Sequence, residues 1–123
     1  VADGKALDFL NPMDICSIFG NALDNAITSA EKMENPEKRL IHVTVSQEKS
    51  FLRIKIENSF QGVLKMKNQL PITTKEDRLY HGFGLKSMKE IAEKYKGSLT
   101  VSAKDGWFEL RILIPLPEDE KII

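Results

Sequence analysis

Apolar positions follow two periods along this chain. They recur at Ile15, Ile18, Phe19, Ala22, Leu23, Ala26, Ile27 and Ala30, the spacing of a helix with one buried face. Asn11-Pro12-Met13-Asp14 is a good start for it: asparagine as N-cap, proline at the first helical position, an acid in the first turn. The pattern predicts a helix to about Met33, ending before Pro36. The period then drops to two. Ile41, Val43 and Val45 alternate with His42, Thr44 and Ser46, and Leu52, Ile54 and Ile56 alternate with Arg53, Lys55 and Glu57. Two half-buried strands, 40–46 and 51–58, are expected across a polar turn at 47–50. In that phase Asn58 shares the face of Leu52, Ile54 and Ile56, so a polar side chain ends the core-facing row.

Helical spacing returns after Gly82-Phe83-Gly84, with Leu85, Met88, Ile91, Ala92 and Tyr95 on one face and Gly97 as a C-terminal stop. Residues 98–103 and 107–114 read as a hairpin across Lys104-Asp105-Gly106, with Asp-Gly as the turn signal. Ala6 to Leu10 reads as the end of a strand. Between 59 and 81 the period is lost: Gly62, Pro71, Lys65, Lys67 and Lys75 interrupt it. A loop of that length in a compact domain is usually functional. Strands paired by hairpins, with helices on one face, make an α+β two-layer sandwich.

Composition narrows the classes. A chain of 123 residues holds one domain with one core. Eighteen basic residues balance eighteen acidic ones, which gives no global electrostatic case for nucleic acid or an anionic membrane. Cys16 is the one cysteine, so no internal disulfide forms. No apolar run approaches the roughly 20 residues of a membrane helix, and no signal peptide is evident. The chain begins at Val1 in mid-pattern, as expected of a piece of a longer protein.

Three constellations carry candidate chemistry. Asn21 and Asn25 stand one above the other on the first helix, beside the apolar stripe. An amide oxygen there suits Mg²⁺, which takes few protein oxygens and completes its shell with water and phosphate; two surface amides would have the same spacing. Gly82-Phe83-Gly84-Leu85 at a helix start offers free amides and a positive dipole end to an anion, or is simply a turn before a helix. Lys75, Arg78, Lys86 and Lys89 add positive charge nearby. Asn58 can hydrogen-bond a buried ligand edge such as a nucleobase amine, or merely close the strand.

Taken in order, Asn21-Ala22-Leu23-Asp24-Asn25-Ala26, then Asn58, then Thr73-Thr74-Lys75, then His81-Gly82-Phe83-Gly84-Leu85, the chain resembles the ATP-binding domain of sensor histidine kinases. That fold, the Bergerat fold, is shared with gyrase-type ATPases and MutL. More narrowly it resembles the quorum-sensing branch typified by AgrC, often labelled a GHKL domain, over nearly the whole chain. The resemblance implies a mixed, mostly antiparallel sheet with helices on one face, and a single ATP-binding catalytic domain over 1–123 with residues 61–81 as its ATP lid. It implies ATP and Mg²⁺ as ligands, with Asn25 as the metal-binding asparagine. Asn21 takes the phosphate-facing position where hydrolysing relatives carry a glutamate base, a role an amide cannot fill. Gly82, Phe83, Gly84 and Leu85 match the box whose backbone wraps the phosphates, and Lys75 is the lid's candidate phosphate contact. His81 fits a lid hinge or a phosphate contact rather than a phosphoacceptor, and so does not supply the transferred group's destination.

The adenine-binding box departs from the usual aspartate-glycine pattern. It reads Asn58-Ser59-Phe60-Gln61-Gly62, keeping Gly62 and replacing the acid with an amide. Losing the charge-assisted bond predicts nucleotide affinity weaker by about 1 kcal/mol. The implied partners are a histidine-bearing dimerisation domain of the same kinase and a response regulator. The implied setting is the cytoplasmic part of a membrane-anchored bacterial sensor, with no membrane contact by this domain. An anti-sigma-factor-type serine kinase and a non-catalytic interaction module of the same fold are the competing readings.

Overall fold

Asn11 opens the first helix as the pattern predicts. In the computed structural model, which describes residues 4–60, 66–67, 70–71 and 83–117, its side chain accepts from the Met13 amide at 2.8 Å. Pro12 takes the first helical position, so one orphan amide is satisfied and another is absent. Helix α1 runs Pro12–Glu31. It stops short of Met33 because the chain tightens there, the Lys32 and Met33 amides donating to the carbonyls of Ser29 and Ala30.

The strand end expected at Ala6–Leu10 is not formed. Gly4–Leu7 is a 3-10 turn, and the Asp8 and Leu10 amides fold back onto the carbonyls of Lys5 and Leu7. So short an apolar run has no period to read. Tertiary contacts decide it: Leu10 is buried in the core and Phe9 meets Tyr95 edge-to-face at 6.4 Å.

Strands β1 (Ile41–Glu48) and β2 (Phe51–Ser59) pair antiparallel. Their turn is only Lys49-Ser50, shorter than predicted, because pairing continues to Glu48 opposite Phe51. Lys49 takes the left-handed conformation, φ 57°. Strands β3 (Met66–Lys67) and β4 (Leu70–Pro71) pair with each other where the sequence showed no regular element. Helix α2 spans Phe83–Lys94. Strands β5 (Ser98–Lys104) and β6 (Trp107–Pro115) close over Asp105 and Gly106, at φ 54° and 83°, the two positive values a type I′ hairpin requires. The main sheet has the order β1-β2-β6-β5, and all its described pairings are antiparallel.

Both helices cover one face of that sheet. Ile18, Ala22 and Ala26 of α1 and Leu85, Met88 and Ala92 of α2 meet Ile54 and Ile56 of β2 and Leu110 and Ile112 of β6 in one core. Alanines on α1 let the helix lie close to the strands. Each buried isoleucine or leucine contributes about 1.5–3 kcal/mol. The opposite face is charged, with Lys55–Glu57 at 3.5 Å and Arg111–Glu109 at 2.7 Å paired along their strands. The architecture is the α+β two-layer sandwich that the alternation of periods implied.

Gly97 follows α2, though not as the residue that stops it. Lys96 adopts the left-handed conformation, φ 64°, while the Gly97 amide donates to Ala92 at 2.7 Å and the Lys96 amide to Glu93 at 2.9 Å. This is a Schellman cap with lysine at its left-handed position. Glycine at 97 answers a packing demand instead: a Cβ there would lie 2.2 Å from the Leu113 carbonyl oxygen.

Candidate functional site

Asn21 and Gly84, 63 positions apart in sequence, are neighbours in space. The Asn21 amide nitrogen donates to the Ser17 carbonyl at 2.8 Å and to the Ser17 hydroxyl at 3.3 Å. A carbonyl can only accept, so the nitrogen must face Ser17. The oxygen is thereby turned toward α2: a Cβ on Gly84 would lie 3.0 Å from Asn21 Oδ1. Any larger residue at 84 would press on that oxygen. The first turn of α2, beginning at Phe83, thus meets α1 at Asn21, with its amides lacking intrahelical acceptors.

Asn25 sits one turn further along α1, half-buried, and its side chain has no hydrogen-bond partner among the described residues. Leu85 puts its side chain into the core, 3% exposed, so only its backbone amide is offered to the site. Asn58 stands on the core face of β2 at 1% exposure, its amide nitrogen donating to the Ser59 carbonyl at 2.8 Å. Ser59 in turn accepts from the Leu40 amide at 3.0 Å, which ties the strand end to the segment entering β1. Gly62, Lys75, His81 and Gly82 lie outside the described residues. The structure therefore brings Asn21 to Gly84, and sets Asn25 on the same helix and Asn58 on the same buried face of the sheet.

Two supports were missed in the sequence. Ser17 lies four residues before Asn21, the spacing of a helical back-bond, so the signal was present. The other is a clamp between the far ends of the helices. Asp14 accepts from Lys94 Nζ at 2.7 Å and from the Tyr95 hydroxyl at 2.5 Å, and the Asn11 amide donates to that hydroxyl at 3.0 Å. The Lys94 ammonium, and then the Tyr95 hydroxyl, hold the Asp14 carboxyl below its ordinary pKa of 3.8, while the Asp14 carboxylate raises that of Lys94. No local pattern announces a contact over 81 positions. It fixes the start of α1 against the end of α2, and so the angle at which Gly84 reaches Asn21.

Metal chemistry has few donors here. Among the described residues no cluster of three or more His, Cys, Asp or Glu could hold an ion. Among the described residues no helix is long and apolar enough to cross a membrane.

The start of α2 lies against Asn21, over an antiparallel sheet, and family comparison gives the class. The chain belongs to the GHKL domain family, whose model matches residues 10–115. Solved structures share the fold. The catalytic domain of histidine kinase ThkA, in a nucleotide-free form, superposes with a TM-score of 0.68 at 24% identity, over 87% of this chain and 71% of that one. Acinetobacter baumannii histidine kinase AdeS gives 0.60 at 19% identity, over 86% of this chain and 47% of its own. The blue-light activated histidine kinase of Erythrobacter litoralis gives 0.58 at 16%, over 84% and 43%. The present chain thus spans less than half the length of the last two. A search of curated proteins finds no match.

Proposed function

We propose that this domain binds Mg-ATP between α1 and the segment preceding α2, as the catalytic domain of a sensor histidine kinase of the AgrC-like branch. The observation that carries this reading is the Asn21 oxygen turned onto Gly84 at the start of α2. That arrangement sets an oriented amide oxygen beside helix-terminal N–H groups that have no intrahelical acceptor, groups suited to a cation and to a polyphosphate respectively. Asn25 would hold Mg²⁺, which would neutralise phosphate charge. Asn58 would accept from the adenine amine, its nitrogen already being committed to Ser59. Gly62, Lys75, His81 and Gly82 complete the site in this reading, with residues 61–81 as the lid.

Catalysis would rest on positioning and electrostatics, because phosphoryl transfer asks little covalent chemistry of the protein. Asn21 cannot act as a general base toward water, which favours handing the γ-phosphate to a histidine of a separate dimerisation domain. A response regulator would then receive it. The domain would work on the cytoplasmic side of a membrane-anchored sensor, itself touching neither membrane nor nucleic acid.

Nucleotide titration with and without Mg²⁺ tests this. Saturable ATP binding, tightened by Mg²⁺, is expected in the unaltered chain. Asn25→Ala should keep its fold and lose the Mg²⁺-dependent tightening. No saturable binding at millimolar ATP, or an unchanged Mg²⁺ response in the variant, would overturn the assignment.

A further inference from the structure

Helix α1 carries more apolar surface than the sheet covers. Its buried row is Ile18, Ala22, Ala26 and Ala30. A second row, Met13, Cys16, Gly20, Leu23 and Ile27, steps alternately by three and four residues, the seam of a helix that packs along another helix. Met13 is 78% and Ile27 46% exposed. Cys16 and Gly20 are exposed, and Leu23 is half-buried without joining the core cluster. Glycine is unfavourable inside a helix, yet a Cβ on Gly20 would meet nothing within 4 Å. Packing among the described residues therefore does not require its small size. An absent side chain at mid-seam does permit close approach from outside.

Charge indicates what approaches. The α1 segment contains Asp14, Asp24 and Glu31 and no lysine or arginine. Lys94 engages Asp14. Asp24 and Glu31 lie along one edge of the seam, both exposed and without an ion pair among the described residues. A second α1 laid on the first would oppose acids to acids, and an anionic membrane would be repelled.

We infer that the Met13-to-Ile27 seam docks an amphipathic helix of a partner. That helix carries an apolar row, one large side chain over Gly20, and lysine or arginine beside Asp24 and Glu31. The seam is about 21 Å long, four turns of helix at 1.5 Å per residue. The inference does not depend on nucleotide binding.

The test titrates the isotope-labelled chain with two designed helical peptides of the same leucine row, one flanked by lysines and one by glutamates, observed by amide chemical shifts. The lysine peptide should shift residues 13–27 and bind at least tenfold more tightly than the glutamate peptide. Ile27→Glu should weaken it at least tenfold with the thermal midpoint nearly unchanged. Gly20→Leu should weaken it too, through a different atom. Equal binding of the two peptides, or shifts centred on the open sheet face, would refute the proposal. So would dimerisation of the chain, or binding to phosphatidylglycerol vesicles, if either is abolished by Ile27→Glu, since the seam would then have another occupant.

Discussion

Replacing Gly84 with alanine separates what the Asn21–Gly84 contact does for the fold from what it does for the site. The added methyl would lie 3.0 Å from Asn21 Oδ1 and 3.4 Å from its Cγ, closer than such atoms ordinarily approach, so the amide must retreat by a few tenths of an ångström. It is not free to do so, because its nitrogen is bound to Ser17 at 2.8 Å. Loosening that bond or turning the side chain off its rotamer costs about 0.5–1.5 kcal/mol. Against this, alanine is better than glycine within a helix by about 1 kcal/mol. The terms nearly cancel, and stability should stay within about 1 kcal/mol of the parent, a midpoint change of about 4 °C or less. Nucleotide binding has no such compensation. An amide oxygen displaced from a cation forfeits about 1.4 kcal/mol, a tenfold weakening. Calorimetric titration with Mg-ATP, beside a thermal melt of the same sample, reads both quantities. Unchanged affinity with a near-parental melt would show that Asn21 and Gly84 merely pack. A stability loss above about 3 kcal/mol would show that the tightness serves the fold.

Three further outcomes follow from the same geometry. Asp14→Asn should destabilise the domain at neutral pH. The folded Asp14 pKa is lowered from 3.8, so its contribution is present above that value and lost as pH falls through the lowered one. The difference in melting temperature between parent and variant should therefore close in acid; a constant difference down to pH 2 would mean that the charge is irrelevant. Asn58→Asp, which restores the acid usual in this family's box, should cost about 1–3 kcal/mol at neutral pH, because a carboxylate cannot donate to the Ser59 carbonyl; denaturant unfolding showing no loss would contradict this. Gly97→Ala should cost at least about 2 kcal/mol, since its methyl would meet the Leu113 oxygen at 2.2 Å and neither group is a movable side chain. A parental urea midpoint would refute the packing explanation.

Regular elements were readable wherever a period ran long enough. Six of the eight apolar positions of α1 and the alternation in β1, β2 and β6 encode burial directly, because a side chain's face follows from backbone geometry; Leu23 and Ile27, read onto the same face, lie outside the core because the stripe is wider than the sheet beneath it. Asn58 on the core-facing row follows from the same arithmetic, and its 1% exposure agrees with it. Ala6–Leu10 failed because five residues carry no period, and the small β3–β4 ladder because nothing in its sequence marks a strand. Gly97 shows a subtler gap. Its presence after a helix suggested a stop, whereas a strand passing at 2.2 Å from its missing methyl is what excludes a side chain.

Elements, their faces, and the order of boxes that resembles a kinase were thus determined along the chain itself, through propensities and periods that act over a few residues. Tertiary structure decided which groups meet. It set Gly84 on the Asn21 oxygen, clamped Asp14 to Lys94 and Tyr95, and left the Met13-to-Ile27 seam uncovered by the sheet. Those contacts join residues tens of positions apart, or consist of surface the fold fails to cover. Both depend on how whole helices pack, which no local pattern specifies.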